Sequence, residues 1–530
     1  MKMKKLYHGG KILTMEDRMP AEAVLTDGAK IICVGKKEKL LETAPDAEPV
    51  DLDGKTMLPG FIDAHSHFTQ VAMGFLQVSL EGAGSVEEIR SRIREFIQRE
   101  KIRPGSWVQA RDYDHNLLPD GKHLTMDEIE SLAPEHALVI QHKSGHSGLM
   151  NRTALMRAGI TADTKSPEGG YIGKDAKGLT GYLEENAYFA AAKKAPMPGP
   201  EELLHAYEMA QEQYASFGIT TIQEGMLVDE MLPLYQLLLN ARILKLDLAV
   251  YPDKETLAAA EQQIGMYETG YHRHVRIGGI KIFLDGSPQG CTAWMTEPYQ
   301  GEKDYRGYGT MTDEDVLAAL KEAGKRKVQI IAHCNGDAAA EQFLDCLEKA
   351  EQEYTVLKTL RPVVIHGQFM RPDQMPKAKD LGAVVSFFTA HTWYWGDVHV
   401  QNFGLERASR ISAAASALAC GMPFTFHQDA PVIRPDMLET IWCAVNRRTK
   451  NGIVLGADQR IPVWEALKAV TINAAYQYFE EDQKGSITPG KRADFVILSE
   501  NPLEVPKDRI RKIRVLETIK DGESIFRREY

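Results

Sequence analysis

Between residues 57 and 475 the chain alternates short apolar runs with helical patterns, and the architecture that best accepts this alternation is a parallel sheet with helical crossovers. Seven runs are visible at residues 218–224, 243–251, 277–284, 328–333, 363–366, 383–388 and 424–429. Each has the near-continuous apolar character of a strand buried on both faces. The segment Met57-Leu-Pro-Gly-Phe-Ile-Asp-Ala-His-Ser-His-Phe68 makes an eighth. Helical patterns separate several of them, one announced by Thr312 and Asp315 in the spacing of a helix start. The expectation is an α/β fold, an eight-stranded (β/α)8 barrel of the TIM type over residues 57–477.

The first and second runs stand about 150 residues apart, far beyond an ordinary βα connection. An inserted subdomain is expected at about 75–205, forming a lid over the C-terminal mouth of the barrel, with strands near Trp107 and at residues 137–142. Outside the barrel, residues 1–56 and 478–530 share a grammar of short strands and turns, with Asp27-Gly28 a hairpin signal. Neither end is large enough to stand alone, so both are expected to pair into one small β-sandwich domain.

Lys and Arg total 63 against 74 Asp and Glu, a net charge of −11 that repels phosphate backbones and argues against a nucleic-acid partner. The six cysteines show no CxxC spacing, as expected of reduced thiols, and no apolar run is long enough to span a bilayer. The start has basic residues but no apolar segment behind them, so a cytoplasmic protein without membrane contact is expected, acting on a small molecule. Both monomer and homo-oligomer stay open.

Polar residues gather where a barrel carries its chemistry, at the C-terminal ends of the strands. His65 and His67 close the first run, and in a strand they would project on one side and share a metal ion. Lys281 lies in the fourth run, His333 closes the fifth, His366 the sixth and Asp429 the eighth. Singly, each has an ordinary structural reading; together they would converge on one point.

PGFIDAHSHF at 59–68, His366, and GSITPGKRADFVIL at 485–498 resemble the signature segments of the amidohydrolase superfamily. The segments around Lys281-Ile-Phe-Leu-Asp-Gly-Ser287, His333-Cys-Asn-Gly-Asp337 and Asp429-Ala-Pro-Val are similar to its amidohydrolase-3, YtcJ-like branch. The resemblance implies a metal-dependent hydrolase of carbon–nitrogen bonds, N-acyl and N-formyl compounds among them, with one or two divalent ions, zinc being the expected one. His65, His67 and Asp429 would hold the first ion, His333 and His366 the second, and Lys281 would bridge them as a carbamate, a carboxylated lysine. A bound ion brings the pKa of its water to about 7, and Asp429 would take the proton and pass it to the leaving amine. Cys334, where the family more often shows an apolar residue, is read as packing.

Trp294, Phe387, Trp393 and Trp395, with His391, lie where βα loops should line a pocket. His146, beside His142, and Glu185 match family positions of the insert, His146 as a substrate contact. An ion pair of Lys281 with Asp285 or Glu224 is the competing reading of that lysine. Two other functions stay open: a mononuclear deaminase of an amino-heterocycle, with Asp337 as its only nearby acid, and a metal-binding regulatory protein without turnover.

Overall fold

The computed structural model describes residues 4–143, 147–196, 198–265 and 270–529. The chain divides into two compact units, one made of the residues up to Thr69 and from Ala210 onward, the other of Gln70–Met209.

The larger unit holds nine parallel strands: β1 (Phe61–Ile62), β2 (Ile219–Leu227), β3 (Asp247–Pro252), β4 (Val275–Ile277), β5 (Gly279–Phe283), β6 (Gln329–Cys334), β7 (Val363–His366), β8 (Val384–Phe387) and β9 (Phe424–Phe426). They form two sheets, ordered β4-β3-β2-β1 and β5-β6-β7-β8-β9, with every neighbouring pair parallel. The expected single strand at 277–284 is thus broken. Gly279 has φ 152°, and a Cβ there would lie 2.1 Å from Gln329 O, so the strand kinks where only glycine fits.

Helices connect most of these strands, as the crossover rule for parallel pairs requires. The one at Asp313–Arg326 begins with a capping box: Asp315 N donates to Thr312 Oγ1 at 3.2 Å, and the Asp315 carboxylate accepts from the Thr312 amide. Such a cap stabilises a helix end by about 1 kcal/mol. The helix buries Val316, Ala319, Leu320 and Ala323, one apolar stripe at helical spacing. Ile62, Tyr251, Ile331, Val363, Ile365 and Val384 form part of the core between the strands.

Strands from both ends of the chain share one further sheet. Thr56–Pro59 runs antiparallel to Phe495–Leu498, joining the N-terminal strands to Val515–Lys520 and Glu523–Arg527. Pro59-Gly60 is therefore a hand-off, because the chain leaves this sheet at Pro59 and enters the parallel one at Phe61.

The second unit is built on a six-stranded sheet whose neighbours include Trp107–Tyr113 and Ala137–His142 in parallel. Helix Val86–Arg99, capped by Ser85, packs Ile89, Ile93 and Phe96 into the core of this unit with Val108, Leu138 and Ile140.

Candidate metal centre

β1 ends at Ile62, so His65 and His67 stand beyond it, and a two-residue strand repeat is not what aligns them. Backbone links do: Gly225 N donates to Ser66 O at 2.8 Å, His67 N to Ala430 O at 2.8 Å, and Asp429 N to His65 O at 3.2 Å. These bonds tie the segment after β1 to β2 and to the segment after β9. Gly225 is there because a Cβ would sit 2.5 Å from His65 Cε1. The two imidazoles end with centroids 5.2 Å apart, and their Nε2 atoms lie 3.5 and 3.4 Å from the same oxygen, Asp429 Oδ1. His366 Nε2 faces the other oxygen at 3.9 Å.

His366 (φ 71°) and Asp429 (φ 55°) both occupy the left-handed backbone region. Such a conformation costs a non-glycine residue roughly 1–3 kcal/mol, and it persists where surrounding structure over-determines it, as functional sites do.

His65, His333 and His366 each have a partner on Nδ1 that bears on the tautomer. His65 Nδ1 lies 2.5 Å from Gln223 Oε1, while the Gln223 amide nitrogen donates to Ala64 O and reaches Tyr478 Oη. The carbonyl of Gln223 therefore faces the ring, Nδ1–H donates to it, and Nε2 presents its lone pair to Asp429. Gln223→Ala is expected to weaken zinc affinity about 10- to 100-fold, read by titration with a competing chelator. Unchanged affinity would mean that His65 is oriented by packing alone.

Asp285 serves His333 likewise, accepting from Nδ1 at 3.0 Å and also from the backbone amides of Trp294, Asn335 and Gly336. His366 Nδ1 lies 3.1 Å from His427 Nε2, and His427 Nδ1 lies 2.8 Å from Ser386 Oγ. His427 stands two residues before Asp429, a same-side spacing that could have marked it in the sequence.

The charges favour a cation. Burial opposes ionisation of Asp429, yet His67 beside it holds its carboxyl well below the usual range. Burial pushes His65 and His366 well down, keeping both rings neutral and able to donate lone pairs. Burial also works against a charge on His67, but Asp429 and Glu224 override it and raise the ring to about 9. The place between these carboxylates therefore draws positive charge. Asp429 Oδ1 and His67 Nδ1 are both buried without a hydrogen-bond partner. Two imidazole nitrogens and a carboxylate are a donor set that zinc accepts, and these three donor atoms lie within 4.8 Å of one another, so the residues fit a divalent ion.

Lys281 is buried in β5, its Nζ 3.5 Å from His65 Nε2 and 4.7 Å from the centre of the Phe283 ring. Burial brings its pKa down to about 8, against the pull of Asp429. Among the described residues no carboxylate oxygen approaches Nζ within 4.0 Å: Asp285 is occupied as above, and Glu224 accepts from Thr69 N and Tyr235 Oη. His333 joins the ring cluster, 4.6 Å from His366, with Nε2 3.3 Å from Asn335 Nδ2. Asp337, the acid a deaminase would need, is held by Thr296 N and Arg371.

The aromatic residues divide. Trp395 packs 4.5 Å from His391 and 6.0 Å from Phe388, and Phe388 lies 5.3 Å from His427 and 6.2 Å from His366. Phe387 is buried against Phe424, so the neighbouring Phe388 is the one that meets the imidazoles. Trp294 contributes its backbone amide to Asp285, and its ring lies where a Cβ on Gly309 would be. Trp393 stands edge-on to Trp442 under the Arg511 guanidinium. His391 pairs with His399 at 3.1 Å. Glu185 is exposed at the start of a helix of the second unit, and His146 lies outside the described residues.

The sequence pattern of the amidohydrolase family matches residues 48–526. The chain is 28% identical over 544 aligned residues to the putative amidohydrolase YtcJ of Bacillus subtilis (strain 168), covering 99% of each. It is 27% identical to the N-substituted formamide deformylase of Arthrobacter pascens, over 95% of this chain and 94% of that one. The fold resembles the crystal structure of an uncharacterised metal-dependent hydrolase from Pyrococcus furiosus, with TM-score 0.76 and 23% identity over 94% of this chain and 100% of the other. With a family pattern that spans nearly the whole chain, the chain belongs to the amidohydrolase family, and its reaction is the metal-dependent hydrolysis of a carbon–nitrogen bond outside the peptide class.

Proposed function

We propose that the substrate is an N-formyl or N-acyl amine and that His65, His67 and Asp429 hold the first divalent ion, zinc being the expected one. In the same reading His333 and His366 would hold a second ion with Lys281, carboxylated, as a shared ligand, and the parallel strands would close into a (β/α)8 barrel beside a terminal β-sandwich. The observation that carries the reading is Asp429 Oδ1, buried, unpartnered and faced by two imidazole nitrogens at 3.4 and 3.5 Å. Barrel closure is supported by the hydrogen bonds between the segments that follow β1 and β9. A protein of the reducing cytoplasm fits the six free cysteines, and among the described residues no helix is long and apolar enough to cross a membrane.

A divalent ion in this place supplies Lewis acidity toward a carbonyl and a water with a pKa near 7. The chain does the rest. Asp429, kept ionised by His67 beside it, accepts the proton of the attacking water and delivers it to the amine nitrogen as the carbon–nitrogen bond breaks. Gln223, His427 and Asp285 keep the imidazoles in one tautomer, so no reorganisation is needed during the reaction. Phe388 and Trp395 offer an apolar wall that suits a neutral acyl or formyl substituent.

A panel of N-formyl and N-acyl amines assayed beside aminated heterocycles tests the substrate class. Amine release from the first group is expected, and ammonia release from the heterocycles alone would overturn it. For the lysine, a pKa near 8 leaves an appreciable neutral fraction to combine with carbon dioxide. Lys281→Ala should lose the second metal equivalent and about 10²-fold in kcat, with partial recovery of both on adding short carboxylic acids. A variant that keeps full metal and turnover would make Lys281 structural.

A further inference from the structure

The unit of Gln70–Met209 carries a histidine cluster of its own. Two parallel neighbours in its sheet, Trp107–Tyr113 and Ala137–His142, are paired with Tyr113 opposite His142. Their ends therefore bring Asp114 and His115 next to His142. His115 Nδ1 lies 3.1 Å from His142 Nε2, and one donor atom from each of Asp114, His115 and His142 falls within 4.8 Å of the others. A third ring, His123, stacks on His115 at 4.0 Å and 28° and lies 5.9 Å from His142. His123 Nδ1 is buried without a hydrogen-bond partner.

Around a tetrahedral zinc with ligands at 2.0–2.1 Å, neighbouring ligand atoms stand about 3.3 Å apart. The 3.1 Å between His115 Nδ1 and His142 Nε2, a hydrogen bond in the structure, is close to that span. Asp114 caps the short 3₁₀ turn His115–Leu117 through Oδ1, which takes bonds from the amide and side chain of Asn116. That places the carboxylate at the base of His115 and supplies the anionic donor that balances a dication. A set of imidazoles with one carboxylate suits zinc better than the oxygen-seeking magnesium or calcium.

We infer that this unit binds a divalent zinc-type ion through His115, His142 and Asp114, in addition to the ion proposed at Asp429. The test is elemental analysis of the full-length protein after dialysis against buffered zinc, comparing wild type, His115→Ala, His142→Gln and the double variant His65→Ala/His67→Ala. Each of the two single variants should hold one zinc equivalent fewer than wild type, and the His65/His67 variant should keep that equivalent. Wild-type zinc content in both single variants would overturn the inference. Should the single variants unfold and lose all metal, a variant lacking His65, His67, His333 and His366 decides: one bound zinc upholds the site, and none overturns it.

Discussion

Asp429→Asn is expected to lower kcat by at least about 10³-fold while leaving the fold intact. A positioned general base contributes typically 10²–10⁴-fold, and in the proposed reading this carboxylate would also supply the anionic donor to the ion, so both functions would fail together. Asparagine matches the shape but has no charge, and its amide nitrogen would face one of the two positions that now oppose imidazole nitrogens at 3.4, 3.5 and 3.9 Å. Removing the charge also changes the neighbours. His67 is raised to about 9 by Asp429 and Glu224 together, against its burial, so with Asp429 neutral its pKa falls. Bound zinc and kcat should therefore be measured on one sample. A variant within tenfold of wild-type kcat with full metal content would remove Asp429 from the chemistry.

Much of the candidate site was legible because the candidate ligand residues sit beside apolar runs that a parallel sheet explains. Val363–His366 is a strand with the bounds its sequence suggests, and Gln329–Cys334 is displaced by one residue. What stayed hidden depends on contacts remote in sequence. Gln223 is an ordinary polar residue until β2 brings it 2.5 Å from His65, 158 positions away. The Gly278-Gly279 break looks like strand until Gln329 O proves to occupy the place of a Cβ. For His65 and His67 the expected convergence occurs for a different reason, since backbone links to Gly225, Asp429 and Ala430 do what strand alternation was expected to do. Trp393 shows the reverse error: an aromatic in the right loop, turned instead onto Trp442 and Arg511.

The second large effect concerns stability. Asp247, in β3, takes Lys484 Nζ at 2.6 Å and Lys520 Nζ at 3.0 Å on Oδ2, and His274 Nδ1 at 2.9 Å on Oδ1. Lys520 belongs to the terminal sheet and also pairs with Asp494, while Lys484 pairs with Glu480, so one buried carboxylate joins the terminal sheet to the parallel one. The three side chains are at most 2% exposed. Asp247→Ala would leave two ammonium groups in a dry interior with one fewer counter-charge, and breaking a buried pair in this way costs about 3–5 kcal/mol. A loss of this size is expected in the denaturation midpoint of the larger unit, followed by a probe such as tryptophan fluorescence. Burial opposes the charge of Asp247, but Lys484 and Lys520 hold its pKa well below the ordinary value. With the folded pKa depressed, the stabilisation is fully present above the unfolded value of about 3.9 and is lost as pH falls through the folded one. Wild type should therefore lose stability on acidification below about pH 4 more steeply than Asp247→Ala, which lacks this group. A shift under about 1 kcal/mol at neutral pH, with parallel acid profiles, would show that the lysines find other partners and that Asp247 does not join the two sheets.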